Sequence, residues 1–348
     1  NSRNAAQSIE TYDFSTLYTN IPHEKLNEAM AWCIEKAFNG TSSKYMIVNR
    51  KKKKAWFAAT SSKKHHTTSK EQLIQEVHYL IDNIYVTCGD SVFRQHIGIP
   101  MGTDCAPQLA NLFLFSYEFK WMTDNLKDNR TTCHMFSANK RYIDDMVVFN
   151  GKEMMQKFKK YIYPPELSLN KENETNDSAT FLDMKITIRE KKFHVELYDK
   201  RDDFPFEIVN FPHLEGNIPM RIGRNVLTSQ TLRIARVCFE YENFVLREKQ
   251  LIQKLLAQGL PKEEAERTLT RMMRMKRIPY NIQPSQILYD IFNVDTQSSD
   301  IIHNTKPSAG RRVELGGPRA PCLARSDVTP GDTPRQYILL YCPIACEM

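Results

Sequence analysis

Two adjacent carboxylates, Asp144 and Asp145, stand inside RYIDDMVVFN (residues 141–150), between apolar arms that alternate or run on as strands do. Tyr142-Ile143 and residues 146–149 therefore read as a β-hairpin with Asp144-Asp145 at its tip. Like charges held side by side repel, so such a tip needs open water or a cation. A solvated acidic turn accounts for the pair equally well unless a third carboxylate joins it. Asp13 is the candidate third, in TYDFSTLYTNIP (residues 11–22), a strand entering a turn with Tyr18 five positions on. Alone it reads as an ordinary edge-strand acid beside a core tyrosine. Taken together, carboxylates from two strands can bracket two divalent cations roughly 3.5–4 Å apart, as phosphoryl transfer to a sugar hydroxyl requires. Mg²⁺ suits a site of few carboxylates plus substrate phosphates, and Mn²⁺ can take its place.

The elements that must position these acids follow from periodicity and punctuation. Residues 23–38 have helical spacing, opened by Pro22 and closed by Asn39-Gly40, and residues 71–84 repeat the pattern. Residues 85–95 read as a hairpin turning at Gly89-Asp90. In GIPMG, residues 98–102, Pro100, Met101 and Gly102 form a turn that lets backbone approach a ligand, or merely a packing corner; an apolar helix follows Pro107. A basic helix over 152–161 and strands over 181–188 and 193–198 complete an α+β fold, an antiparallel sheet with helices on one face. Beyond it one long helix is expected, capped by Thr228, running to Gln258 and ended by Gly259. Another starts at Pro261, and its outer face carries Arg267, Arg271 and Arg274, which is solvated or lies on a phosphate backbone. Residues 41–70, rich in Ser, Thr and Lys, form an insertion with four consecutive lysines (51–54) before Trp56. A solvated loop is the commoner explanation there; the alternative is a surface that holds phosphates and stacks a base. His65-His66 lacks further ligands at metal spacing. Residues 293–348 gather Pro, Gly, Ser and Arg without periodicity and read as a disordered tail.

Composition narrows the class. With 348 residues, 41% hydrophobic and 26% charged, the chain is globular and long enough for two domains. A net charge of +7 permits nucleic acid as a partner without requiring it. Eight cysteines without a C-x-x-C pair argue against a disulfide framework or zinc ribbon and for reduced thiols inside a cell. Neither a membrane-length apolar run nor a signal peptide is present, so a soluble, unexported protein is expected. A first motif within thirteen residues of Asn1 suggests that an upstream part is missing.

These motifs resemble those of reverse transcriptases, and within them of Penelope-like retroelements, relatives of telomerase. DFSTLYTNIPHEKL looks like motif A, FRQHIGIPMGTDCAPQLANLFL like motif B, RYIDDMVVF like motif C, FLDMKITI like motif D, and LYDKRDDFPFEIVNFPHLEGNIP like the lead into the thumb; the resemblance spans residues 11–259. It implies a right-hand polymerase with a palm and partial fingers over 1–200 (insertion 41–70) and a connection and helical thumb over 201–292. The implied activity is RNA-directed DNA polymerisation on an RNA template with a DNA primer, dNTPs and two Mg²⁺ ions. Asp13, Asp144 and Asp145 would be the metal-binding catalytic acids. Tyr18 would exclude a ribose 2′-hydroxyl, Pro100, Met101 and Gly102 would contact nucleotide and template, and Lys185 would protonate pyrophosphate or be a plain strand lysine. Most reverse transcriptases carry Gln at the position of Met101; Met is usual in the Penelope-like group. Arg267, Arg271 and Arg274 would lie along duplex. The motifs that precede A, and the GIY-YIG endonuclease after the thumb, are not matched, which suggests a truncated copy or fragment whose own activity is open. Two alternatives stand: an RNA-directed RNA polymerase, against which Tyr18 speaks, and a non-catalytic nucleic-acid-binding remnant. The nucleus is implied for target-primed synthesis, the cytoplasm otherwise; template preference, priming mode and oligomeric state are not legible.

Overall fold

The computed structural model describes residues 5–293 apart from 137, 207 and 209, so the tail expected over 293–348 lies, from residue 294 on, outside the described residues. The chain divides into two units between Pro205 and Phe206. In the first, the order is β1 (Ile9–Phe14), α1 (Leu17–Asn20), α2 (His23–Asn39), β2 (Tyr45–Asn49), β3 (Lys54–Ala58), β4 (His66–Ser69), α3 (Lys70–Asp82), β5 (Tyr85–Cys88), β6 (Ser91–Arg94), α4 (Ala106–Asn125) and α5 (Arg130–Phe136). Then come β7 (Lys140–Tyr142), β8 (Asp145–Phe149), α6 (Met154–Ile162), β9 (Leu169–Lys171), β10 (Ser178–Phe181), β11 (Met184–Arg189) and β12 (Lys192–Leu197).

The central antiparallel sheet runs β7-β8-β1-β9. Because side chains alternate along a strand, β1 and β8 present two unlike faces. Tyr12, Phe14, Met146 and Val148 join one core with Leu26 and Met30 of α2, Ala110 and Phe113 of α4, and Met155 and Ile162 of α6. Helices therefore cover that face. The opposite face carries Thr11, Asp13, Asp145, Val147 and Phe149, and Phe149 meets Phe193 of β12 edge-on at 5.1 Å. Glu10 is buried on the helical side, where its carboxylate accepts bonds from the Tyr12 hydroxyl (2.7 Å) and the Glu153 amide (2.9 Å) at the start of α6.

Local signals are well used. Ser69 and Gln72 form a reciprocal capping box at the start of α3, and Gly89 takes φ +59° in the turn between β5 and β6. Four expectations are corrected. The acidic hairpin forms, but Tyr142 pairs with Asp145, so its tip is Ile143-Asp144 and Asp145 is already in the strand. Residues 181–188 are not one strand: Phe181 pairs with Met184 across a turn at Leu182-Asp183, where Leu182 takes φ +56° without the glycine or asparagine that announces such turns. The insertion is a three-stranded sheet, β3-β2-β4, rather than a loop. The long helix is two, α7 (Met220–Val237) and α8 (Tyr241–Ala257). Thr228 lies inside α7, its hydroxyl donating to the Arg224 carbonyl at 2.8 Å, and the Cys238 carbonyl freed at the break accepts from the Tyr280 hydroxyl at 2.6 Å.

The second unit is helical among its described residues: α7, α8, α9 (Lys262–Arg274) and α10 (Pro284–Phe292) bury Leu227, Ile234, Phe244, Leu251, Leu255, Leu269, Met272 and Ile287. Inside it Glu248 is fully buried; it accepts a 2.6 Å bond from the Thr231 hydroxyl, while its second oxygen has no partner.

Candidate active site

Asp13 of β1 and Asp145 of β8 are direct register partners. The Phe14 amide donates to the Asp144 carbonyl at 3.3 Å, which makes Asp13–Asp145 a non-hydrogen-bonded pair, the kind with Cα atoms about 4.5 Å apart and side chains on one face. On its other side Asp13 pairs with Asn170 of β9. Ile143 holds φ +56°, a costly conformation for a β-branched residue, in the turn that carries Asp144 next to the pair in sequence.

Electrostatics ties the group together. Burial and then Asp144 raise the Asp13 carboxyl above its ordinary range. Burial, followed by Asp144, Glu172 and Asp13, pushes Asp145 up to about 6, against the opposing pull of Lys200. Glu172 is raised by burial and by Asp13 and Asp144, with Lys200 again opposing. Glu172 and Lys200 were not singled out from the sequence. Glu172 follows the short β9 in a polar stretch without period, and only the pairing of that strand with β1, continued by the Glu172 amide on the Thr11 carbonyl at 2.9 Å, brings it in.

Among the described residues no three His, Cys, Asp or Glu side chains converge as ligands of one ion. The donors gathered at the sheet are nevertheless hard carboxylate oxygens, the class Mg²⁺ takes, and their mutual repulsion is of the kind a bound cation relieves.

Arg141 anchors the hairpin. Its guanidinium grips Glu118 of α4 through two bonds (2.7 and 3.0 Å), reaches the Asn111 side chain at 2.9 Å and donates to the Ile143 carbonyl at 3.0 Å. The Tyr163 hydroxyl completes the cluster on Glu118 at 2.8 Å. A bidentate, largely buried arginine fixes direction as well as distance, so the strained turn is tied to the helix beneath it.

Tyr18 reaches the site through α1. Tyr18 is half-buried against the core that takes in Phe14 and Met146, and burial, then Asp144 and Tyr142, raise its hydroxyl above the ordinary range. The glycine-rich turn docks on the same segment: the Ile99 amide donates to the Tyr18 carbonyl (2.6 Å), the Gly98 amide to the Ile21 carbonyl (2.8 Å), and His23 Nε2 to the Gly98 carbonyl (2.7 Å). Gly98 has φ +84°, and a Cβ there would stand 2.5 Å from the Tyr18 carbonyl oxygen. Pro100 is half-buried, Met101 is 77% exposed, and Gly102 faces open space at φ +105°.

Lys185 is on β11 in the second sheet, paired with Glu196 at 3.4 Å, and Lys200 is a cation that acts on Asp145 and Glu172. Arg267, Arg271 and Arg274 share the exposed side of α9 in the second unit, with Arg267 contacting Glu264 at 3.1 Å.

No protein-family model and no curated protein sequence matches the chain. In backbone comparison it is similar to the structure of apo telomerase from Candida tropicalis, at 12% identity and TM-score 0.41, over 83% of this chain and 46% of that one. Telomerase from Candida albicans, solved in complex with a TWJ fragment of telomeric RNA, gives 11% identity and TM-score 0.38 over 84% and 52%. The chain thus spans about half the length of those structures. No described helix is long and apolar enough to cross a membrane.

Proposed function

We propose that the chain is the catalytic part of a retroelement reverse transcriptase of Penelope-like type, an RNA-directed DNA polymerase whose palm is the sheet β7-β8-β1-β9 and whose thumb is the helical second unit. The observation that carries this is the Asp13–Asp145 register pair with Asp144 at the adjoining tip. Asp13, Asp144 and Asp145 would hold Mg²⁺, which when bound activates the primer 3′-hydroxyl and neutralises triphosphate charge. Tyr18 stacks beneath the incoming sugar and leaves no room for a 2′-hydroxyl. Pro100, Met101 and Gly102 supply an exposed turn against nucleotide and template, and the backbone bonds of Gly98 and Ile99 hold that turn at a set distance from Tyr18. Lys200 offsets the acids and stands ready for an anionic substrate. The partners are an RNA template, a DNA primer and dNTPs.

Primer extension on an RNA template with Mg²⁺ tests this. Wild-type extension that disappears in Asp144→Asn, with an unchanged melting curve, is expected, because a tip carboxylate supports little packing. Near-normal extension by folded Asp144→Asn protein would sink the assignment. A non-catalytic nucleic-acid-binding protein is the second reading, favoured by the acids not converging as ligands of one ion; tight binding by a wild type that never extends would select it.

A further inference from the structure

Residues 36–70 hold ten of the chain's 48 Lys and Arg residues and none of its 41 Asp and Glu residues, so this segment alone carries more positive charge than the +7 of the whole chain. It is folded rather than loose. The Lys52 amide donates to the Asn49 side chain at 3.1 Å, ordering the turn that presents Arg50 and the lysines. Strand β3 is an edge of its sheet, and the register sorts its side chains. Phe57 shares a face with Met46 and Thr68 and packs edge-on against Phe38 of α2 at 5.0 Å. Trp56 lies on the opposite face with Lys54, Ile47 and Thr67. There it is 41% exposed over the buried Ile47 and is flanked by His65 at 5.6 Å. Arg50, lysines 51–54, Lys63 and Lys64 are exposed around it. The ion pairs of this region, His66–Glu76 (3.8 Å) and Lys70–Glu71 (3.5 Å), sit at its margin with α3. Among the described residues the central cations have no carboxylate in salt-bridge range.

A dense run of uncompensated cations is complementary to a repeating anion. An indole face held open among them adds a requirement that an acidic peptide does not meet and that unstacked bases do. A duplex offers the charge but hides its base faces. We propose that the outer face of β3, its preceding turn and the loop before His65 bind a single strand of RNA or DNA, with phosphates on lysines 51–54, Lys63 and Lys64 and a base stacked on Trp56. This holds whether or not the acid cluster catalyses nucleotide addition.

The test is fluorescence anisotropy of labelled oligo(U) and oligo(dT) against the full chain over a range of salt. Simultaneous Lys→Gln replacement at 51, 52, 53 and 54, all exposed, should weaken binding and flatten the slope of log affinity against log salt by up to about 3, at roughly 0.7 per released phosphate contact on a single strand. Oligonucleotide should also quench tryptophan emission in the wild type. That quenching should largely vanish in Trp56→Phe, which keeps an aromatic ring for packing, while Trp56→Ala should lower affinity about tenfold with the slope unchanged. Binding of either oligonucleotide that is lost with the lysines and with Trp56 supports the proposal. An unchanged salt slope in the lysine variant, or unchanged quenching in Trp56→Phe, overturns it. So does equal competition by polyglutamate at matched charge, which would assign the surface to an acidic protein.

Discussion

Asp145 and Glu248 are both raised by burial, yet one has charged neighbours and the other has none. Glu248, alone among apolar side chains with the Thr231 hydroxyl, is pushed up to about 8, far above a carboxyl in the unfolded chain. Between about pH 4.5 and 8 the folded protein then holds a proton that the unfolded chain has lost, so stability falls as pH rises through that window. Chemical denaturation should lose roughly 3 kcal/mol between pH 5 and 8 from this group, and Glu248→Gln should remove the slope; a variant with the same pH dependence as wild type would mean the carboxyl ionises without cost. Tyr18 is the other residue whose surroundings define a test. Its hydroxyl is raised by burial and then by Asp144, and if the ring excludes a 2′-hydroxyl, Tyr18→Ala should open space for one oxygen and reduce discrimination against ribonucleotides by on the order of tenfold or more. Single-nucleotide incorporation with dNTP and rNTP measures this, and unaltered selectivity would make Tyr18 a packing residue.

Elements around the site are held by backbone contact as much as by side chains. The turn at 98–102 is hydrogen-bonded to Tyr18 and Ile21 through the Ile99 and Gly98 amides, and at Gly98 a Cβ would meet the backbone of Tyr18 and Thr19. Gly98→Ala combines left-handed strain with a clash against backbone and should cost at least about 2 kcal/mol, with loss of primer extension as Tyr18 is displaced. Gly102→Ala meets nothing within 4 Å and should cost only the conformational strain, about 1–2 kcal/mol. Urea unfolding of the two variants compares them directly; equal destabilisation would show that the close approach at Gly98 relaxes freely. The Arg141 clamp works the same way on the acidic hairpin, joining the Ile143 carbonyl to Glu118 and Asn111 on α4.

At the scale of the molecule, charge is distributed unevenly between acid-poor surfaces and the acid cluster. Beyond the insertion, α9 sets Arg267, Arg271 and Arg274 on its exposed side while Ala265, Leu269 and Met272 are buried. Replacing the three arginines with Gln should weaken binding of an RNA–DNA duplex regardless of its sequence and flatten the salt dependence by up to about one unit per lost phosphate contact. An unaltered slope would place that side of α9 in solvent. Stability of the fold should be little changed, since exposed arginines contribute little packing here.

Local chemistry in the chain was enough for the helix after Pro22, the helix after Pro107, the hairpin at Gly89-Asp90 and the start of α9 after Pro261, because prolines, glycines and the 2- and 3.6-residue periods act within a few neighbours. The apolar arms of residues 141–150 likewise announced a hairpin. Which acid sits in its strand was settled only by pairing, since a shift of one residue turns every side chain to the other face. Positive φ at Ile143 and Leu182 is not announced by residue type, so the first turn was read one residue late and the second was not legible. At the break over 238–240 the Cys238 carbonyl is met by a hydroxyl from Tyr280, forty-two residues away. Glu172 and Lys200 joined the acid cluster for the same reason: their neighbours are distant in the chain, and long-range register, not spacing, decides which charges meet.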